Sequence, residues 1–374
     1  MRLGACRNIL VVKLDFIGDH VLTTPFLANL RVNAPKARIT LVVLDRAFPF
    51  AETCRFVDRV VTVSSATGRR ITFGAGNAGT LAGFRREYLG GDFDLALVPR
   101  WDVDFNGALQ IAVGSGAKRV AGFSERSTPA RSIANRGEDR FYTDLVHDRR
   151  HVHEVEHKLA LLEAVGGKIT TLRASVDLGV SDRAGAEAFL VKSFGTDRRA
   201  LLAVAPFVGD QRRQYPADRL ARVTGRLAER FDLDVIIVGG RLDAGRGEAF
   251  ASAVGERAVS SLGRIEARPS AALVERCIAF VGMDSGPAHL AAAVGTPVAV
   301  IFCHPRDGAP DHVNSPRRFA PWGEPDKVLV IQPETGLPPC REGCVAREAH
   351  CISQLTEEEV ESAIAAFVAK LTRA

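Results

Sequence analysis

The stretch "VGMDSGPAHLAAAVGTPVAVIF", Val281–Phe302, places an apolar run before Asp-Ser-Gly-Pro, then a histidine, an alanine-rich segment and a second apolar run. It reads as strand, turn, helix, strand. The apolar runs are continuous rather than alternating, which marks parallel strands covered on both faces. Ligands of such sheets bind at the carboxyl ends of strands, where helix N-termini attract phosphates. Asp284 falls at a strand end, Ser285 and Gly286 offer backbone N–H groups, and Pro287 suits the first helical position. His289, in the first turn, is positioned for a phosphate oxygen or a ribose. The plainer reading is that Asp284 or Ser285 caps the helix while Gly286 makes the turn.

Moving outward, strand-like and helix-like segments alternate along the chain. "NILVVKL" (Asn8–Leu14), "RITLVVL" (Arg38–Leu44), "RVVTV" (Arg59–Val63) and "FDLALV" (Phe93–Val98) read as buried strands, with helical patterns at Pro25–Val32 and Asn77–Leu89. A helix over Glu154–Val165 stops at Gly166-Gly167. After a polar stretch near Ser181–Arg199 the pattern restarts with "ALLAVAP" (Ala200–Pro206), a helix over Ala217–Arg230 and "LDVIIVGG" (Leu233–Gly240). A helix near Gly247–Val254 and the opening stretch follow. The expectation is an α/β protein of two Rossmann-like domains with parallel sheets. Residues 1–180 form the first and 198–350 the second, and an amphipathic helix within 355–374 packs back on one of them, with the N-terminal domain as one berth.

A length of 374 residues suits two domains, and 46% hydrophobic with 25% charged residues is the composition of a globular protein. The 49 Lys and Arg against 44 Asp and Glu leave a formal charge of +5. That excess suits anionic small ligands or an anionic membrane face and is too dispersed for nucleic acid. No run of about 18 uncharged apolar residues suggests a membrane span. The N-terminal segment lacks a signal-peptide pattern, and seven scattered cysteines fit reduced thiols. The expected location is cytoplasmic, with any membrane association peripheral.

The first half carries a matching stretch, "VVKLDFIGDHVLTTPFLANLR" (Val11–Arg31), where a strand again ends in a glycine loop before a helix. It is not a dinucleotide fingerprint, because only Gly18 stands where three glycines are needed. Thr24-Pro25 is a good cap and first-position pair, which leaves Asp19 in the loop with its carboxylate free for chemistry.

These residues carry a resemblance. "ILVVKLDFIGDHVLTTPFLANLR" together with "VGMDSGPAHLAAAVGTPVAVIF" resembles the bacterial heptosyltransferase family, glycosyltransferase family 9. "FDLAL", "GAKRVAGF", "HEVEHKLALLEAVG" and "PPCREGCVAREAHCISQLTEEEV" resemble further segments in the expected order. The resemblance implies a GT-B fold, two Rossmann-like sheets facing across a crevice, and an inverting, metal-independent glycosyltransferase that uses no cofactor. It implies transfer of a sugar, heptose from ADP-heptose, to a lipopolysaccharide core or related glycan at the inner face of the membrane. The alternatives are a different nucleotide-sugar donor, or a non-catalytic nucleotide-sugar or glycan-binding protein of the same fold.

By the same resemblance Asp19 is the general base that takes a proton from the acceptor hydroxyl. Ser285, Gly286 and Pro287 lie against the nucleotide diphosphate, and Asp284 and His289 help hold it. The family's usual lysine, in a Lys-Arg-Trp-Pro-like segment, corresponds to Arg213 within "RRQYPADRL" (Arg212–Leu220). This departure keeps the charge and changes its geometry. Lys13 is a further diphosphate contact. Gly18, Arg100 and Asp102 face a phosphorylated or polyhydroxyl acceptor.

Three patterns invite other readings. Asp102–Asp104 spells the D-x-D of metal-dependent glycosyltransferases, but Asp92–Asp94 and Asp232–Asp234 match it equally well. "HEVEH" (His153–His157) fits the H-E-x-x-H of zinc hydrolases, although Glu156 is charged where such enzymes carry apolar residues; the plainer reading is a polar helix entry with His153 and His157 solvated or near the acceptor. Cys340, Cys344 and Cys351, with His350 beside them, have an irregular spacing that favours free thiols over zinc. A tandem Rossmann oxidoreductase is disfavoured by the missing glycines.

Overall fold

The computed structural model describes residues 3–64, 81–338, 340 and 346–372. The chain divides into two units, Met1–Asp177 and Leu178–Ala374. The first contains strands β1 (Asn8–Lys13), β2 (Arg38–Leu44), β3 (Arg59–Val63), β4 (Leu95–Val98), β5 (Val120–Phe123) and β6 (Asp144–Val146). Its helices are α1 (Ile17–Val21), α2 (Thr24–Asn33), α3 (Phe48–Ala51), α4 (Leu81–Phe84), α5 (Ala108–Gly114), α6 (Pro129–Ala134) and α7 (Glu154–Ala164). The strands are parallel, in the order β3-β2-β1-β4-β5-β6. The helical pattern at Asn77–Leu89 falls partly outside the described residues; from Leu81 it is helical.

The continuous apolar runs have the cause expected of them. Ile9 and Val11 of β1 enter one core with Phe26, Leu30 and Leu161, while Leu10 and Val12 enter another with Phe84, Leu109 and Ile111. Successive side chains point to opposite faces, and both faces are covered, so consecutive positions are apolar rather than alternate ones.

The second unit begins with α8 (Val180–Phe194) and β7 (Ala200–Ala205), then α9 (Ala217–Arg230), β8 (Leu233–Ile237), α10 (Ala244–Val254), β9 (Ala258–Ser260) and α11 (Ala267–Val274). It continues with β10 (Ala279–Met283), α12 (Gly286–Val294), β11 (Val298–Ile301), α13 (Pro316–Phe319), β12 (Val328–Ile331) and α14 (Glu357–Leu371). Its sheet, β12-β11-β10-β7-β8-β9, is again fully parallel. Read from the first strand of each unit, the two orders are the same. Two Rossmann-like domains are therefore present, although no repeat is legible in the letters.

Two segments differ from expectation. The polar stretch at Ser181–Arg199 is mostly the helix α8, packed on α11 through Ala186 and Leu190, with Arg183 bound to Glu275 at 2.7 Å. Its polarity reflects a solvated face rather than a linker. The C-terminal helix α14 packs on α9 and β12 of its own unit. Val360, Ile364, Phe367 and Val368 join the second unit's core. Each contributes roughly 1.5–3 kcal/mol on full burial. Thr356 caps α14 in a capping box with Glu359. Among the described residues no helix is long and apolar enough to cross a membrane.

Candidate active site

Both sheets reverse their strand order between the first and fourth strands of the unit, and the sequence-predicted residues gather at those two switch points. In an open α/β sheet this is where loops splay apart and leave room for a ligand.

In the first unit the loops after β1 and β4 meet. Lys13, at the end of β1, is buried and binds Asp15. Arg100, after β4, donates to Asp15 Oδ1 at 2.8 Å, and its Nη1 lies 3.9 Å from Asp19 Oδ1. It also donates from Nε to the Val103 carbonyl, which fixes the guanidinium. The two carboxylates are thereby driven apart. Burial opposes ionisation of Asp15, but Arg100 and Lys13 outweigh it and hold the carboxyl below the ordinary range. Asp19 is raised, by burial first and by the Asp15 charge second. Its Oδ1 is buried and accepts no hydrogen bond. A carboxylate with a raised pKa and an unused oxygen is suited to taking a proton near neutral pH.

Asp19 does not sit in a loop as expected. A short helix, α1, forms over Ile17–Val21 and contains Gly18 and Asp19, and α2 begins at Thr24 with Pro25 second. Thr24 Oγ1 donates to the Val21 carbonyl, and Thr23 Oγ1 to that of Asp19, joining the two helices. The Lys13 ammonium is buried against Asp15, which it neutralises. Asp102 is 5% exposed, and its Oδ1 accepts from Val103 N at 2.7 Å and Thr128 Oγ1 at 3.2 Å. Through Oδ1 it braces the loop that carries Arg100.

A buried pair that the sequence reading missed lies beneath this network. Lys158 and Glu154 are each 1% exposed, with Nζ 3.4 Å from Oε2 and 3.0 Å from the Glu154 carbonyl. Burial pulls the Lys158 ammonium down to about 8, against the opposing pull of Glu154; Lys13, Asp19 and Asp15 add smaller influences. The signal was available. Lys158 shares a helical face with the buried Leu161 and Leu162, so a lysine stands inside an apolar stripe.

The H-E-x-x-H segment is structural. His153 Nδ1 accepts from Val155 N at 3.2 Å as the α7 cap. His157 is buried, not solvated; its Nδ1 lies 3.0 Å from Asp148, and its ring stacks on Trp101 with centroids 4.0 Å apart. The D-x-D matches are likewise engaged, with Asp104 Oδ2 accepting from Leu109 N, Asp94 from Arg7 N and Lys118, and Asp232 from Arg199.

In the second unit the loops after β7 and β10 meet. Arg213 Nη1 donates to the Asp284 carbonyl at 3.1 Å and to Asp284 Oδ2 at 3.2 Å. His289 Nε2 lies 3.6 Å from Asp284 Oδ1, and its Nδ1 is buried without a hydrogen bond. Neither Asp284 nor Ser285 caps α12. Ser285 Oγ turns back to the Met283 carbonyl at 3.2 Å, and Pro287 occupies the second helical position. The α12 N-terminus therefore has its partial positive charge and no side-chain cap. An arginine, paired here with Asp284, and an uncapped helix start bring hydrogen-bond donors together beside His289, an arrangement suited to an anion.

The family model described as glycosyltransferase family 9 (heptosyltransferase) matches residues 108–350. Lipopolysaccharide heptosyltransferase 3 of Escherichia coli is 23% identical over 321 residues, covering 82% of this chain and 83% of that protein. Among solved structures, a glycosyl transferase family 9 protein from Veillonella parvula aligns with a TM-score of 0.76 at 20% identity, covering 99% of both chains. The E. coli heptosyltransferase WaaC, solved with ADP, aligns with a TM-score of 0.69 at 17% identity over 96% of this chain and 99% of that one. These neighbours share the two-domain GT-B fold. The matched model spans well over half of the sequence, including the β10–α12 loop and the Arg213 loop, and the chain thus belongs to glycosyltransferase family 9, the heptosyltransferases.

Proposed function

We propose that the protein is an inverting heptosyltransferase that moves heptose from ADP-heptose to a lipopolysaccharide core or related glycan. The observation that carries the reading is the uncapped α12 N-terminus with Arg213 and His289 around Asp284. In this reading the donor diphosphate lies against Ser285, Gly286 and Pro287. As the sugar–phosphate bond breaks, the departing diphosphate gains negative charge. The helix dipole and Arg213 then stabilise the transition state more than the ground state. These groups take the place of a metal ion at the diphosphate.

Asp19 is the general base. It removes the proton of the acceptor hydroxyl as that oxygen attacks the anomeric carbon from the face opposite the diphosphate, which inverts the configuration. Arg100 and Gly18 contact the acceptor, and Arg100 with Lys13 keeps Asp15 charged, which in turn holds Asp19 basic. The mild positive charge of the chain suits peripheral work on an anionic cytoplasmic membrane face.

Calorimetry of ADP, UDP and GDP with no added divalent metal tests the donor site. The expected result is binding of ADP in preference to the others, weakened at least about tenfold in Asp284→Ala and His289→Ala. Equal binding in those variants, or none in the native protein, would remove the donor assignment.

A further inference from the structure

One cluster is not used by sugar transfer. Cys340, His350 and Cys351 bring two thiols and an imidazole within 4.8 Å of one another. Both cysteines are buried, and neither is disulfide-bonded. Cys351 Sγ lies 3.6 Å from His350 Nδ1. The three side chains line a small enclosed cavity whose wall also carries Cys303, Glu348 and Arg212. Cys344, the remaining cysteine of this segment, lies outside the described residues.

We infer that Cys340, His350 and Cys351 form a structural site for a thiophilic divalent metal, zinc being the best match. Tetrahedral zinc with Zn–S near 2.3 Å and Zn–N near 2.0–2.1 Å sets neighbouring donors ~3.4–3.8 Å apart. Donors already within 4.8 Å reach that spacing by small side-chain rotations. Charge favours the same conclusion: two thiolates and a neutral imidazole sum to −2, which a divalent cation cancels, so the burial that penalises a lone thiolate is relieved. Cys303 and Glu348 on the cavity wall are donors of the kind that complete a fourth position.

The site has a structural consequence. It ties together two points, Cys340 and His350–Cys351, of the segment between β12 and α14, next to Arg212, whose Nη2 binds Asp210 at 2.6 Å in the loop that presents Arg213. The metal stiffens the approach to α14 and the Arg212–Arg213 loop, and no step of sugar transfer runs through it.

The test is metal analysis of the full chain purified under reducing conditions without added metal, together with cobalt titration of the metal-stripped protein. About one zinc per chain is expected in the native protein and in Cys54→Ser, a buried thiol elsewhere, and less than about a tenth of that in the Cys340→Ser/Cys351→Ser double variant. Cobalt should give thiolate-to-metal charge-transfer absorption with tetrahedral d–d bands. Because this reads the native protein, it stands even where the double variant fails to fold. Absence of those bands, metal retained in a folded double variant, or a Cys340–Cys351 disulfide in the freshly isolated protein would overturn the site.

Discussion

The two switch points have one topology and two chemistries. After β1 and β4 the chain places Lys13, Asp15, Asp19 and Arg100 in a mutually compensated network, in which Arg100 touches Asp15 closely and Asp19 only at 3.9 Å. After β7 and β10 it places a single arginine against Asp284, at the bare start of α12. The first arrangement separates two carboxylates into one held ionised and one held basic. The second pairs one arginine with Asp284 and leaves the backbone N–H donors of the α12 start without a side-chain cap. The common fold supplies a place where loops part; the side chains at each place set its chemistry, and in the proposed function the first moves a proton while the second holds a phosphate.

The largest effect that tests this contrast is expected at Asp19. Asp19→Asn should lower kcat by about 10²–10⁴ with little change in nucleotide affinity, read from steady-state kinetics beside calorimetry. Loss of affinity instead would place Asp19 with the donor and collapse the distinction. The pH profile sharpens the same point. A base works deprotonated, so activity falls as pH drops through its raised pKa. Asp15→Asn removes the carboxylate that helps raise it and should move this acid limb to lower pH. An unmoved limb would mean that another group is titrating.

Next in size is the buried pair under the first network. Lys158→Met strands Glu154 in the interior and should cost about 3–5 kcal/mol in denaturant unfolding. Glu154→Leu with Lys158→Met should recover most of that loss. If the single variant costs less than about 1 kcal/mol, the pair is hydrated and the first switch point is less dry than its burial indicates. The smallest effect is expected at the second switch point. Arg213→Lys keeps the charge but loses the fork, and should weaken nucleoside diphosphate binding by about three- to tenfold, against a larger loss in Arg213→Ala. Equal losses in both would show that geometry, not charge, governs the contact.

How far the letters reach is visible in particular residues. The strands were legible because doubly covered parallel strands carry continuous apolar runs, as Ile9–Val12 of β1 and all of β10 do. The turn of Asp284, Ser285 and Gly286 was legible because strand, glycine and helix follow one another directly in the chain. What Asp284 does was not. Whether it caps α12 or faces Arg213 depends on a loop 71 residues away. Asp102 looked free in sequence and is bound within its own loop. α8 looked like a linker because its buried Ala186 and Leu190 are few among solvated residues.

The amino-acid sequence by itself determined the elements, the two-domain plan and the positions of the loops that carry Asp19 and Asp284, since these follow from local periodicity and turn chemistry. Only the tertiary structure decided which charges meet. Lys13, Asp15, Arg100 and Lys158 come from β1, the β4 loop and α7, and the raised pKa of Asp19 exists because folding buries them together. Cys340 and the His350–Cys351 pair likewise converge only when the chain closes on itself. Burial is a property of the folded chain, and the meeting of Arg100 with Asp15, or of Arg213 with Asp284, joins segments 71 or more residues apart that no short window of sequence contains.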